Sequence, residues 1–434
     1  MRTVLKEENV LKDCKIFRML EGQDTRHLSF HTPGHKTAGW DITELSYSDN
    51  LSDPRGCIAA AQADVAAVLG ASASFLLTDG STSGVFAMLH AAKALGVKRI
   101  AVSESAHKSV FNGCAALGLQ PLVYPQRTRG KIPLPYTMYE LNAYFPALLA
   151  EADALFLTSP DYYGNIADLQ EARAFCDKEN KLLLVDGAHG GHLHFDKMRY
   201  AGAYADIWVD GVHKSLPALT QGAVVSARNE KFAAALESAV DIFRTSSPSY
   251  PIMASVEYAV KYPRNEALEK RVGEYAKNTP RVYQNQDWTK LCALFGENAW
   301  TAQSELEKSG IYPEFCDGNV VAFYLSPVTS EEEFSVLCKA LAQLFEKYPL
   351  TENAEEEVIA RESIDTNAPT EWVEIRQAVG RICAQQCGLF PPCTPLLGVG
   401  ERISAEKLQR LGKAQFTFGV KKDKILVFKE EEKE

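Results

Sequence analysis

Between residues 70 and 227 the chain carries seven short apolar runs that do not alternate with polar residues: 74–77, 99–102, 122–124, 154–157, 182–185, 207–209 and 223–226. A strand with one face in water alternates. A run of Val, Ile, Leu and Phe without polar breaks has to be covered on both faces. Between several of these runs lie stretches with helical spacing, such as 85–95 and 169–178. Alternating β and α elements predict an α/β fold, a mostly parallel seven-stranded sheet with helices on both faces. In such sheets ligands bind outside the carboxyl ends of the strands.

The character changes further along. Residues 228–265 read as a helix followed by a loop-like stretch, with a turn cluster at 246–251. After 266, helical stretches mix with a strand candidate at 320–325 and an amphipathic helix at 331–348, which predicts a smaller C-terminal α+β domain. At 434 residues the chain is long enough for two domains. The predicted division is an N-terminal segment (1–45), a large α/β domain (46–265) and a small domain (266–434). The closing KEEEKE reads as a solvated tail.

Charge and composition exclude several classes. A net charge of −10 with no offsetting basic stretch predicts no nucleic-acid partner and no anionic membrane surface. No run of 18 apolar residues exists, so no transmembrane helix is expected. The opening MRTVLKEENVLKD carries acids where a signal peptide needs an apolar stretch. The ten cysteines form no CxxC pair, and the spacing of Cys383, Cys387 and Cys393 suits neither a zinc ribbon nor a disulfide framework. Reduced thiols and a cytoplasmic location are the expectation.

Three segments carry chemistry. In LLTDGSTSG a buried strand runs into Asp79-Gly80-Ser81-Thr82-Ser83-Gly84 and then a helix. Glycine permits the tight turn, and hydroxyls with free N–H groups at a helix start can hold a phosphate. Read alone, it is equally an ordinary N-capped helix. In KLLLVDGAHGGHLHF, Asp186 closes a fully apolar strand, where a carboxylate is costly unless it meets a cation. His189, His192 and His194 have a spacing that raises a metal reading, but Gly190 and Gly191 break any helix that would stack them, and no metal is predicted. In DGVHKSL, His213 and Lys214 follow the next strand, 28 residues after Asp186. A lysine for a Schiff base, an acid for a pyridine nitrogen and a phosphate cradle are the set that pyridoxal phosphate requires.

These segments resemble the Orn/Lys/Arg decarboxylases, pyridoxal-phosphate enzymes of the aspartate-aminotransferase fold (fold type I). The matching pieces are HTPGHK (31–36), DITEL (41–45), TDGSTSG (78–84), AHKSV (106–110), TSPDYYGNIADL (158–169), VDGAHGGHLHF (185–195), HKSLPALTQGA (213–223), TSSPSY (245–250), GRI (380–382) and LFPPCTPLLGVGERI (389–403). The chain starts close to HTPGHK, so it looks like the short form without an N-terminal wing domain. The resemblance implies that Lys214 is the Schiff-base lysine and that Asp186 pairs with the ring nitrogen. Ala188 would pack on one ring face, beside His189, and His107 would stack on the other. Ser81, Thr82, Ser83 and His213 would form the phosphate cradle. Thr245 and Ser246 would reach the phosphate of a neighbouring subunit, which implies a homodimer or higher homo-oligomer. His35, Cys393 and Glu401 would border the substrate, with Glu401 facing its distal cationic group.

The implied reaction is decarboxylation of lysine, ornithine or arginine to the amine, with Lys214 and His213 as proton carriers. Gly211 stands where many relatives have a phosphate-touching serine, and Cys393 where they have glycine. Those departures keep two alternatives open: another fold type I reaction, such as transamination or elimination, and a catalytically silent homologue with a regulatory role.

Overall fold

The computed structural model describes residues 5–22, 28–36, 39–129, 132–350, 356–357, 368–390, 394–414 and 416–429. All seven predicted runs are strands of one sheet: β1 (Ala73–Leu77), β2 (Arg99–Ser103), β3 (Gln120–Tyr124), β4 (Ala154–Thr158), β5 (Leu182–Gly187), β6 (Ile207–Asp210) and β7 (Ala223–Ala227). Their order is β1-β7-β6-β5-β4-β2-β3. Neighbours from β3 through β6 are parallel. β7 alone is antiparallel, to β6 on one side and β1 on the other. The carboxyl ends of β1, β2, β4, β5 and β6 therefore lie along one edge, and every chemical segment found in the sequence leaves from it.

The missing alternation has its expected cause. Successive side chains of a strand point to opposite sheet faces, and here they enter two separate cores. Leu183, Val185, Trp208 and Val224 belong to one. Leu184, Ile207, Val209 and Val225 belong to the other. Helices Ser81–Ala94 and Glu230–Phe243 pack against each other over β6 and β7. The first sits so close that a Cβ on Gly84 would lie 2.7 Å from Val209 Cγ2 and 2.8 Å from Leu77 Cδ1. Only glycine lets the start of this helix reach the sheet edge.

The N-terminal segment is built into this body. Helix Lys15–Gly22 packs on helices Cys57–Leu69 and Tyr250–Val260. The fully buried Glu257 accepts hydrogen bonds from Lys15 N (2.7 Å) and Ile16 N (3.0 Å) at its first turn, where backbone N–H groups otherwise lack partners. Lys261 answers the charge of Glu257 at 3.1 Å and that of Asp64 at 2.7 Å.

Beyond 266 an antiparallel sheet joins Lys290–Leu294, Val320–Tyr324 and Phe315–Cys316, with helices Ala299–Lys308 and Glu331–Lys347 in the same subdomain. The predicted strand and long helix are both there, each within one residue of its expected bounds. Two more small sheets follow near the end of the chain. The turn cluster is there over 246–249, but the loop-like reading of the stretch that follows it is corrected. Helix Tyr250–Val260 starts inside it, with Pro251 in the first turn. Proline is tolerated there because the N–H it lacks would have no intrahelical acceptor. The hairpin Arg127–Arg129 and Ile132–Leu134, paired with Glu356–Glu357, was not foreseen. The acidic tail lies, from residue 430, outside the described residues. Among the described residues no helix is long and apolar enough to cross a membrane.

Leu184 sits fully buried at the centre of β5. Leu184→Ala is expected to cost about 2–5 kcal/mol through lost transfer energy and a residual cavity. A lowered urea midpoint with an unchanged slope is the measurement that checks it.

Candidate active site

A cleft of about 170 Å³ opens at the carboxyl edge of the sheet. After β1, the turn through Gly80 (φ +86°) starts the helix Ser81–Ala94 and brings Ser81 and Thr82 to one wall. Gly80 N donates to Gln221 O at 3.0 Å, which ties this turn to the loop before β7. After β2, His107 caps helix Lys108–Leu117: its Nδ1 lies 2.7 Å from Ser109 Oγ, which fixes the ring against the cleft. Asp186 stands near the end of β5, with Ala188 and His189 just past it, and after β6 come His213 and Lys214 on the short helix Val212–Ser215. Lys214 Nζ is 3.1 Å from His189 Nε2. The structure thus brings together eight residues named from sequence: Ser81, Thr82, His107, Asp186, Ala188, His189, His213 and Lys214.

Burial dominates the electrostatics. It pushes the Asp186 carboxyl up, while the charge of Lys214 and the Ala188 N–H, 3.0 Å away, pull it back. Burial, then Lys214 and Lys108, lowers His107 to about 3. Burial and Lys214 lower His213 to about 4. His189 falls far below the ordinary histidine range, through burial first and then the charges of Lys214 and Lys290. A neutral imidazole is a flat, polarisable surface, and three of them surround one amine here. Close by, at the end of β6, burial pushes the Asp210 carboxyl up to about 7, while Tyr200 Oη donates to it at 2.7 Å.

These residues fit pyridoxal phosphate. Among the described residues Asp186 accepts one hydrogen bond, from a backbone N–H. A carboxylate buried with so little compensation calls for a cationic donor, which a protonated ring nitrogen supplies. Thr158 Oγ1 and His189 Nδ1 are buried with no hydrogen-bond partner among the described residues. The 14-residue helix Ser81–Ala94 aims its N-terminal N–H groups at one end of the cleft, the place for a phosphate. Gly211 has a positive reason to be glycine. Its Cβ would lie 2.4 Å from Ala188 O, so no side chain fits while Ala188 keeps its place.

Other expected residues stand elsewhere in this chain. Ser83 is turned back into its own loop, with Oγ 2.7 Å from Asp79 Oδ1. The other oxygen of Asp79 accepts Thr245 N at 3.1 Å, and Ser246 is exposed; neither lines the cleft. His35 is exposed and pairs with Asp41 at 2.9 Å. Glu401 is buried in the C-terminal subdomain, bonded by Gly398 N (2.9 Å) and by Lys407. Cys393 lies outside the described residues. The cleft also includes residues the sequence reading did not single out: Ser109, Thr158, Tyr162, Thr220 and Gln221. Thr158 and Tyr162 lie where the β4 run ends, the place where an open α/β sheet puts ligand contacts, so position alone could have found them. Gln221, at φ +76°, carried no such signal.

Two outcomes follow. Gly211→Ser should weaken cofactor binding at least about tenfold, because the added atom displaces Ala188; titration of the apoprotein with pyridoxal phosphate measures it. His107, with its pKa lowered, is neutral above about pH 3. Its ring carbon resonances should therefore stay flat by NMR between pH 5 and 8, while an exposed histidine titrates.

Comparison with known proteins agrees with this geometry. Residues 30–295 match the family described as Orn/Lys/Arg decarboxylase, major domain. The chain is 29% identical to Uncharacterized protein YaaO of Bacillus subtilis (strain 168), over 93% of this chain and 96% of that one. It is 27% identical to Arginine decarboxylase of Halalkalibacterium halodurans, over 88% of this chain and 89% of that one. The solved structure of the E. coli constitutive lysine decarboxylase superposes with a TM-score of 0.72 at 17% identity, covering 97% of this chain and 82% of that one; this likeness speaks for the fold alone. The fold is the aspartate-aminotransferase-like fold type I of pyridoxal-phosphate enzymes. The family match takes in every strand of the main sheet and every residue lining the cleft, and by it this chain belongs to the Orn/Lys/Arg decarboxylase family.

Proposed function

We propose that the chain is a pyridoxal-phosphate-dependent decarboxylase that converts a basic amino acid (lysine, ornithine or arginine) to its amine and carbon dioxide. The observation that carries the reading is the placement of Lys214, beside His189 and in the field of the buried Asp186, in a cleft that ends on a helix N-terminus.

When bound, the cofactor supplies a sink for the electron pair left as carbon dioxide departs. Each residue has a part around it. Lys214 would hold the aldehyde, and its amine, set 3.1 Å from His189 Nε2, is the general acid placed to return a proton to the substrate carbon. Asp186 keeps the ring nitrogen protonated by presenting a negative charge in a low-dielectric site. Ala188 and neutral His107 would pack against the cofactor ring, and neither brings a charge that competes with the one at Asp186. Ser81, Thr82 and His213 hold the phosphate with the helix N-terminus. His189 accepts from the Lys214 amine and so keeps that amine in place between its two tasks. Thr245 and Ser246 serve a second subunit, so the working unit is at least a homodimer. By the resemblance alone Glu401 and Cys393 are substrate-side residues; in this structure Glu401 is held by Gly398 N and Lys407. The enzyme works in the cytoplasm and supplies amines of the polyamine class.

The test uses purified holoprotein incubated with lysine, ornithine and arginine, followed by mass analysis of amines and detection of carbon dioxide. One of the three should yield its amine. Lys214→Ala should lower turnover at least about a thousandfold and abolish the visible band of the bound cofactor. Formation of pyridoxamine phosphate in place of carbon dioxide would replace decarboxylation with transamination. A cofactor band that no amino acid perturbs would leave a silent homologue.

A further inference from the structure

Lys290 is a second buried lysine beside the cleft, and the proposed reaction does not use it. Its side chain is fully buried, as is that of Asp287. Lys290 Nζ donates to Thr289 Oγ1 at 2.8 Å, lies 3.5 Å from Asp287 Oδ2 and stands 4.4 Å from the centroid of the Tyr324 ring. The other oxygen of Asp287 is 2.9 Å from Nε2 of the buried His192. Tyr324 meets His189 in an edge contact at 5.6 Å, and its hydroxyl donates to Tyr162 O at 2.9 Å. Tyr162 flanks His189 at 5.0 Å. His189 is thus wedged between two tyrosine rings, with the Lys214 amine 3.1 Å away and a fixed cation behind Tyr324.

This arrangement is costly. A lysine loses its hydration on burial and recovers it only through close, well-placed partners. Here the nearest carboxylate is shared with His192, and one face of the ammonium rests on an aromatic ring. Structure alone would be served as well by an apolar residue on this strand, whose neighbours Leu291, Cys292 and Ala293 are all buried. A retained buried charge near a reactive amine has an electrostatic consequence: it disfavours a second positive charge nearby.

We infer that Lys290 is a positioning residue for Lys214: its buried ammonium, held behind the Tyr324 ring that packs on His189, adds a second positive charge to the pocket that holds the Lys214 amine. The inference rests on the reading of Lys214 as the cofactor lysine. The other titratable groups around His189 and Lys214 are Asp186 and Glu314 on the acidic side and His107 and His213, both held neutral by burial. None of them is altered in the variants below.

The experiment is a spectrophotometric pH titration of the visible cofactor band in the holoprotein. Lys290→Met should raise the midpoint by about half a pH unit or more, because a like charge is removed. Lys290→Arg should stay near wild type. Asp287→Asn should lower the midpoint, since it leaves the Lys290 charge uncompensated. A residue with a structural role alone would move both midpoints the same way or neither. Thermal melting identifies a variant that has not folded; Lys290→Gln, which keeps a donor for Thr289, then takes the place of Lys290→Met. Coincident midpoints for wild type and a folded, uncharged Lys290 variant overturn the inference, as do shifts of one sign for Lys290→Met and Asp287→Asn. Wild-type protein that never develops a band with pyridoxal phosphate overturns the cofactor reading and this inference with it.

Discussion

The carboxylate of Asp186 ends a strand that is covered on both faces, and the site depends on that placement. A negative charge at such a point loses most of its hydration. Its neighbours return little: one backbone N–H and the charge of Lys214. The strand cannot move away, because Leu183, Leu184 and Val185 anchor it in both cores. The result is a charge held where only a cationic or proton-bearing partner relieves it. Lys214 meets part of that need. The rigidity of the sheet therefore sets the electrostatics of the cleft.

Around this charge the protein removes competitors. His107, His189 and His213 are all buried enough to stay neutral, and the adjacent Asp210 shares its carboxyl with Tyr200 and Trp208. Among the described residues that line the cleft, Lys214 and Asp186 are the pair of opposite formal charge. The small domain contributes as well, by contact with the loops that carry these groups. Gln386 Nε2 donates to the carbonyls of Glu104 and Ala106, each at 2.6 Å, in the loop that ends at His107. Gly398 packs so tightly on Glu104 that a Cβ would stand 2.7 Å from its carboxylate. The same C-terminal segment holds Glu401, bonded to Lys407. Its described residues brace the loop ahead of His107 and do not line the cleft.

Much of this was legible because double-sided burial leaves a mark in one dimension. The seven strands showed as unbroken apolar runs, and helix Leu169–Lys178 showed as a 3.6-residue period. Elements whose signal is local and ambiguous were harder. Pro251, among serines, has the composition of a turn, yet a helix start tolerates proline equally well. The N-terminal helices were missed because what secures them, Glu257 and Lys261, lies some 240 residues away. Thr220 and Gln221 line the cleft only because a loop folds back to meet Gly80. Lys290 drew no notice in the sequence, since its burial comes from a strand pairing that residue type does not reveal.

The sequence by itself determined the architecture of the main sheet and the edge from which the chemical segments leave, and so that Lys214 and Asp186 share one cleft. Hydrophobic burial is written residue by residue, and strand ends inherit their place from it. Only the tertiary structure decided which hydroxyls face the cleft, that Ser83 and Glu401 are bonded elsewhere, that Gly211 leaves no space for a side chain, and that a second lysine lies behind Tyr324. These depend on side-chain rotamers and on how closely neighbouring segments approach, which residue type and hydrophobic pattern do not encode.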